Sequence, residues 1–172
     1  FRLAFDRTSL IAVGVFSGQQ NTDADFGAYV NSFDQLDAIA FENPQDRAAY
    51  ALIVDPDNPR PDAMWRKRIA DASAHLRSNP LVSLITKSAA IRSVVTAVNW
   101  FRPPPYSIKC HESLEASAAW IAAQRGRDVL EVMRRLERDV GRFEQGDEHP
   151  VTAGRGDQSG VGRARDGRLG LK

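Results

Sequence analysis

Apolar residues in this chain come in short runs broken by polar, glycine- or proline-bearing turns, and two periods alternate along it. Leu3–Phe5 and Leu10–Phe16 are strand-like. In the second run Ile11, Val13 and Val15 alternate with Ala12, Gly14 and Phe16, so both faces are apolar, as in a strand covered on two sides. The polar Asp6-Arg7-Thr8-Ser9 between the runs predicts a hairpin. After a turn over Gly18–Asn21, Asp23 or Asp25 is placed to cap a helix with Phe26, Val30, Phe33 and Ile39 at roughly helical spacing. Glu42–Asp46, with Pro44, reads as loop.

The next run, Tyr50–Val54, is short, continuous and apolar, which predicts a central strand. It ends in Asp55, and the proline-rich turn Pro56–Asp62 follows. A helix then carries Trp65, Ile69, Ala72 and Leu76 in a stripe of threes and fours, and Asn79-Pro80 stops it. Leu81–Thr86 is a further strand. Ser88 is positioned to cap a helix with Ile91, Val94, Val95 and Val98, which the three prolines after Trp100-Phe101-Arg102 close. Tyr106–Cys110 reads as the last strand. Ser113 caps the helix Leu114–Ala123, ended by Gly126. The order β-β-α-β-α-β-α-β-α, with helix-length crossovers, predicts an α/β fold: a mixed, mostly parallel sheet of about five strands with flanking helices and an antiparallel edge from the first hairpin.

Residues 1–125 thus form one α/β domain, and 126–144 a C-terminal amphipathic helix. That helix, Asp128–Glu144, places Val129, Met133, Leu136, Val140 and Phe143 in a seam of alternating fours and threes. Two heptads are too short to stand alone, so the seam is expected to pack on its own domain, the alternative being a homodimer paired through Val129, Met133, Leu136 and Val140. From Gln145 to Lys172 glycine and charge replace apolar residues, the signature of a disordered tail.

Composition narrows the function more than it names it. The 172 residues are 42% hydrophobic and 26% charged with a net charge of +1, so no global field draws the molecule to nucleic acid. The tail's arginines are nearly cancelled by Asp147, Glu148, Asp157 and Asp166. No apolar run approaches the ~20 residues of a transmembrane segment, and the first residues lack the order of a secretion signal. One cysteine, Cys110, excludes an internal disulfide, and a cytoplasmic location is the expectation. No G-x-S-x-G, Walker loop or G-x-G-x-x-G occurs, so no cofactor is expected. His75, His111 and His149 lack metal-ligand spacing. Cys110 and His111, adjacent in a strand, point to opposite faces and cannot pair as nucleophile and base.

Candidate chemistry gathers at the joint after Tyr50–Val54. In open α/β sheets, ligands and partners meet the chain where strand carboxyl ends pass into helices. Asp55, Asp57, Asn58 and Arg60 in the loop, with Arg66, Lys67 and Arg68 on the helix, form a candidate partner-binding edge, and the basic residues favour an acidic patch on a protein partner. A rival set is Asp55, Thr86 and Lys109 on successive strand ends, with Ser88 nearby. It resembles the switch set of a response-regulator receiver, which would accept a phosphoryl group at Asp55. That family needs an acidic pair after its first strand to hold Mg²⁺, and here the position reads Ser17-Gly18-Gln19-Gln20.

The hairpin start, the helix, Ala51-Leu-Ile-Val-Asp with its loop and helix, and the late Leu114-Glu-Ala-Ser-Ala-Ala-Trp-Ile together resemble the STAS domain (sulphate transporter and anti-sigma antagonist), in its SpoIIAA-like branch, over residues 1–125. The resemblance implies a regulatory or partner-binding role without catalysis. A lipid-binding relative, the CRAL-TRIO group, adds a small-ligand or lipid-binding alternative. Anti-sigma antagonists carry a phosphorylated hydroxyl at the start of the helix after the central strand. The loop Asp55–Asp62 has none, which moves any such switch to another residue, such as Ser88.

Overall fold

The computed structural model describes residues 1–17, 21–43, 45–93, 95 and 104–142. The strands are β1 (Arg2–Asp6), β2 (Ile11–Phe16), β3 (Ala49–Val54), β4 (Leu81–Ile85) and β5 (Ser107–His111). They form one sheet in the order β1-β2-β3-β4-β5. β1 pairs antiparallel with β2 and every other pair is parallel, so the hairpin supplies the antiparallel edge and β3 lies at the centre, both as the apolar pattern predicts. The helices are α1 (Asp23–Phe41), α2 (Ala63–Ala74), α3 (Leu114–Arg125) and α4 (Leu130–Arg142), and helical backbone over 89–93 follows Ser88.

Because β2, β3 and β4 are apolar on both sides, helices must cover both. On one face Ala12, Phe16, Tyr50, Leu52 and Leu84 meet Phe26, Tyr29 and Phe33 of α1 and Trp65 of α2. Ile69, Ala72 and Leu76 complete the expected α2 stripe, although the helix itself ends at Ala74. Aromatic rings dominate this face. Phe26 stacks on Trp65 with ring centres 5.6 Å apart, and Tyr29 lies edge-on to Phe16 at 5.3 Å. The opposite face is aliphatic and small: Ile11, Val13, Ala51, Leu81 and Ile85 receive Leu114, Ala118 and Ile121 of α3, Val129 just before α4, and Met133 and Leu136 of α4. Small side chains let α3 come close, and there the Ser117 hydroxyl donates to Ser83 Oγ at 2.6 Å, both fully buried. The α4 seam is therefore filled by the chain's own sheet. Pairing two copies through Val129, Met133, Leu136 and Val140 would require the helix to leave it, because all four are buried.

Several boundaries differ from the expected ones, each for a local reason. The cap of α1 is Thr22. Its hydroxyl accepts from Asp25 N while the Asp25 carboxylate accepts from Thr22 N, a reciprocal box that places Asp23 and Asp25 inside the helix. The final helix starts at Leu130, because Asp128 Oδ1 accepts from Leu130 N at 2.9 Å and so lies outside it. The last strand is shifted one residue, to Ser107–His111. Ser113 and Gly126, at φ 68°, bound α3 as expected. Trp100-Phe101-Arg102, Phe143 and the tail 145–172 lie outside the described residues.

Polar clamps hold the opposite, amino end of the sheet. The Asp37 carboxylate on α1 accepts from the Ser78 hydroxyl and the backbone N–H groups of Arg77 and Ser78. This holds the turn before β4, where Asn79 is left-handed at φ 47°. Arg125 and Arg127 both reach Asp46 and the Ser9 carbonyl, joining the end of α3 to the hairpin.

Trp65 is buried and donates its indole N–H to Asp23 Oδ1 at 2.7 Å, whereas Lys67 is 78% exposed. Replacing Trp65 by alanine is expected to cost about 3–5 kcal/mol in denaturant unfolding, and Lys67→Ala less than about 0.5 kcal/mol. Equal losses would put the helix in the wrong phase. On β2, a Cβ on Gly14 would lie 2.8 Å from Tyr50 Oη and 3.1 Å from Phe1 Cε2. Gly14→Ala should therefore cost about 1–3 kcal/mol by overpacking. Among the described residues the buried Tyr50 hydroxyl has no hydrogen-bond partner of good geometry, the nearby Ser32 hydroxyl donating instead to the Tyr29 carbonyl. Tyr50→Phe should consequently be neutral or stabilising, and should recover part of the Gly14→Ala loss. No recovery in the double variant would show that the backbone, not the hydroxyl, takes up the strain.

Candidate functional site

At the carboxyl edge of the sheet the ladder runs one residue past the strands: Asp55 N donates to the Phe16 carbonyl at 3.1 Å and Thr86 N to the His111 carbonyl at 3.0 Å. Asp55 then folds the chain back on itself. Its carbonyl accepts from Asn58 N at 3.0 Å and its Oδ1 from Asp57 N at 3.2 Å, an aspartate turn of the kind that Asp-Pro sequences favour. Asn21 Nδ2 donates to Asn58 Oδ1 at 2.9 Å, tying this loop to the segment before α1. Pro56, Pro59 and Pro61 restrict φ in what remains. Asp62 caps α2 through Trp65 N at 2.8 Å.

The basic run on α2 is folded onto its own surroundings. Arg66 Nη1 donates to the Pro61 carbonyl at 3.1 Å, Lys67 pairs with Asp71 at 2.6 Å, and the Arg68 guanidinium lies 4.8 Å over the Trp65 ring. Arg60 is exposed. Asp55, Asp57, Asp62 and Asp71 match Arg60, Arg66, Lys67 and Arg68 in number, so charge alone does not select an acidic partner. What projects between them is apolar: Met64, 45% exposed, one of two large hydrophobic side chains exposed among the described residues. The other, Phe41, lies beneath the Arg77 guanidinium at 4.3 Å.

The rival set does not converge. Thr86 is buried, with its hydroxyl accepting from Ser88 N at 3.2 Å and its carbonyl from Arg92 Nη1 at 3.0 Å. Arg92 also pairs with Glu112 at 3.0 Å. Lys109 pairs with Ser83, three positions before Thr86 on β4, which is about 10 Å along the strand. Ser83 and Lys109 share the face under α3, and Thr86 continues the opposite one. The register also sets Asp55 two strands from Lys109 and about 13 Å further along. Ser88 is half-buried, and its hydroxyl accepts from Ile91 N at 3.4 Å, the capping role its position predicts.

Cys110 packs against the aromatic face and His111 against Trp120 under α3, opposite faces as strand alternation requires. Burial pushes the Cys110 thiol up, away from the thiolate form that chemistry would need. Among the described residues no group of three or more His, Cys, Asp or Glu side chains is placed to hold a metal ion, and no helix is long and apolar enough to cross a membrane. A recess between α1 and the sheet, lined by Phe33, Leu36, Tyr50 and Val82 with Asp37 and Ser78 at its rim, has a volume of about 20 Å³, the space of a single water.

Sequence reasoning missed Asn21, Asp23 and Met64. Met64 was detectable, since it falls outside the Trp65–Leu76 stripe directly after the prolines. Asn21 and Asp23 meet partners 37 and 42 residues away, and no local pattern encodes such pairings. Compared with known proteins, the chain matches no family model, no curated protein and no solved structure.

If the Asn21–Asn58 bond holds the edge, Asn21→Ala and Asn58→Ala should each cost about 0.5–1.5 kcal/mol. The double variant should cost less than their sum, giving a coupling of about 0.5 kcal/mol or more. Strict additivity in denaturant melts would show that the bond contributes nothing.

Proposed function

We propose that this chain is a non-enzymatic regulatory module of STAS type, SpoIIAA-like, which binds another protein through the edge from Asp55 to Arg68. Two observations support the family part of this reading. The element order agrees with the order on which the resemblance rests, and a loop and helix follow the central strand at Asp55–Ala74, although that loop lacks the hydroxyl that anti-sigma antagonists carry there. The interaction part is carried by one observation: the loop is held by the Asn21–Asn58 bond, the Asp55 turn and the Asp62 cap, and the first turn of α2 directly after it leaves Met64 exposed. A surface already ordered loses little entropy on binding, and an exposed apolar side chain is a usual component of a contact centre. Methionine suits such a contact because its unbranched, polarisable side chain adapts to the facing surface. The lipid-binding alternative gains no support from a recess the size of one water. The receiver-like alternative gains none from Asp55, Thr86 and Lys109, which the register keeps apart.

The test compares affinity capture from native cells by the wild-type chain and by Arg60→Glu/Met64→Asp, with Arg134→Glu on α4 as the control. A specific protein should be held by wild type and control and lost, by roughly tenfold or more, with the edge variant, while circular dichroism stays unchanged for all three. A partner retained equally by all three would move the contact off this edge. Incubation with a small phosphodonor and Mg²⁺ should leave Asp55 unlabelled. Stoichiometric labelling lost in Asp55→Asn would replace this reading with the receiver-like one.

A further inference from the structure

A second feature, independent of the interaction reading, lies where β5 ends under α3. His111 is only 8% exposed, and its imidazole lies 5.6 Å from the indole of Trp120. Its Nε2 is buried and has no hydrogen-bond partner among the described residues. A neutral imidazole tolerates this. An imidazolium has two N–H donors and a full charge, and needs an acceptor for each donor.

Among the described residues the surroundings offer no such acceptor. On β4, the paired Ile85 is apolar and the Ser83 oxygen already accepts from Ser117. On β5, Lys109 lies two residues earlier on the same face and repels a second positive charge. On α3, Leu114, Ala118, Trp120 and Ile121 are uncharged, and the helix's one acid, Glu115, is exposed and bonded to Arg134. Its arginine, Arg125, is at the far end on Asp46. Glu112, next in the chain, is exposed and paired with Arg92 from the segment over 89–93. The helix α4 packs on β1 and β2, at the other side of the sheet from β5.

We propose that His111 is an acid-operated release for α3: a proton taken from solvent at Nε2 loosens α3 from β4 and β5, while α4 stays on β1 and β2. The two helices pack on each other and are joined by the Arg134–Glu115 pair, but they cover different strands, so α4 keeps its own hold on β1 and β2 when α3 loosens. Burial first, and Lys109 second, hold the imidazole below its ordinary value of 6.5. A histidine lowered in the closed form is protonated more readily in the open one. Closure is therefore fully stable above the ordinary value and weakens as pH falls below it.

Hydrogen exchange on the full chain, corrected for intrinsic rates and read segment by segment, tests this. Between about pH 7.5 and about pH 5, protection over 114–121 should fall by about tenfold or more, and that over 130–140 by less. His111→Phe, which fills the same space without titrating, should flatten the fall. Lys109→Met should reduce it, because removing the repulsion brings the closed-form value nearer to the open one. An equal fall in wild type and His111→Phe, or no fall in wild type, overturns the proposal. If His111→Phe does not fold, NMR titration of the His111 ring in the wild type decides. A midpoint well below the ordinary value supports the release, and one at or above it overturns it.

Discussion

The bare backbone of β2 at Gly14 lets the Tyr50 ring lie down across the neighbouring strand, and most of the aromatic face follows from that contact. Tyr50 lies flat enough for Phe33 to meet it edge-on, with ring centres 6.2 Å apart, and for Tyr29 to approach within 6.3 Å. Tyr29 reaches Phe16, Phe16 reaches Phe26, and Phe26 stacks on Trp65. Trp65 then fixes the first turn of α2 through Asp23, and with it the end of the proline loop. A methyl group at position 14 would push at the root of this series, although the exposed edge lies at its far end. Dense packing is what transmits the effect, because interiors without voids pass displacements on.

The two faces of the sheet are built differently. The aromatic face gains its cohesion from large rings that bury much area and lock into tilted and edge-on pairs. The face under α3 and α4 relies on close approach, which small side chains permit and which the buried Ser83–Ser117 bond makes specific in register. Slipping α3 by one turn would leave both hydroxyls without partners, a cost that an all-alanine contact would not impose.

Most of the sheet was legible because β2, β3 and β4 are apolar at nearly every position, Ser83 being the polar exception, and each is bounded by turn residues with a local mechanism. The α2 stripe and the caps Ser88, Ser113 and Gly126 are likewise local signals. The failures lie where a side chain's role depends on something distant. Thr22 outranks Asp23 as a cap because Asp25 returns the hydrogen bond. Asp37 reads as an ordinary surface acid of α1 until the turn at Ser78 comes to it. At the candidate site, the prolines marked the loop, but Arg66, Lys67 and Arg68 read as free charge and in fact bond to Pro61, Asp71 and Trp65. Charge counted along a sequence ignores such internal partners, and so overstates what a surface offers a ligand.

The strand order repeats the chain order, so each strand from β2 onward is laid beside the one made just before it. A chain of this topology can grow its sheet by successive steps, a tight hairpin first and then one helical crossover at each addition. The exception is α4, which returns from the end of the described chain to cover β1 and β2, where Arg135 pairs with Asp6. During synthesis the hairpin strands therefore wait with one apolar face bare until β3, β4, β5 and α3 have been made and α4 has emerged. Ile11 and Val13 are the residues left uncovered in that interval. The last of the described helices thus completes the first part of the sheet to form, and a chain interrupted before it would present that face to chaperones or to other chains.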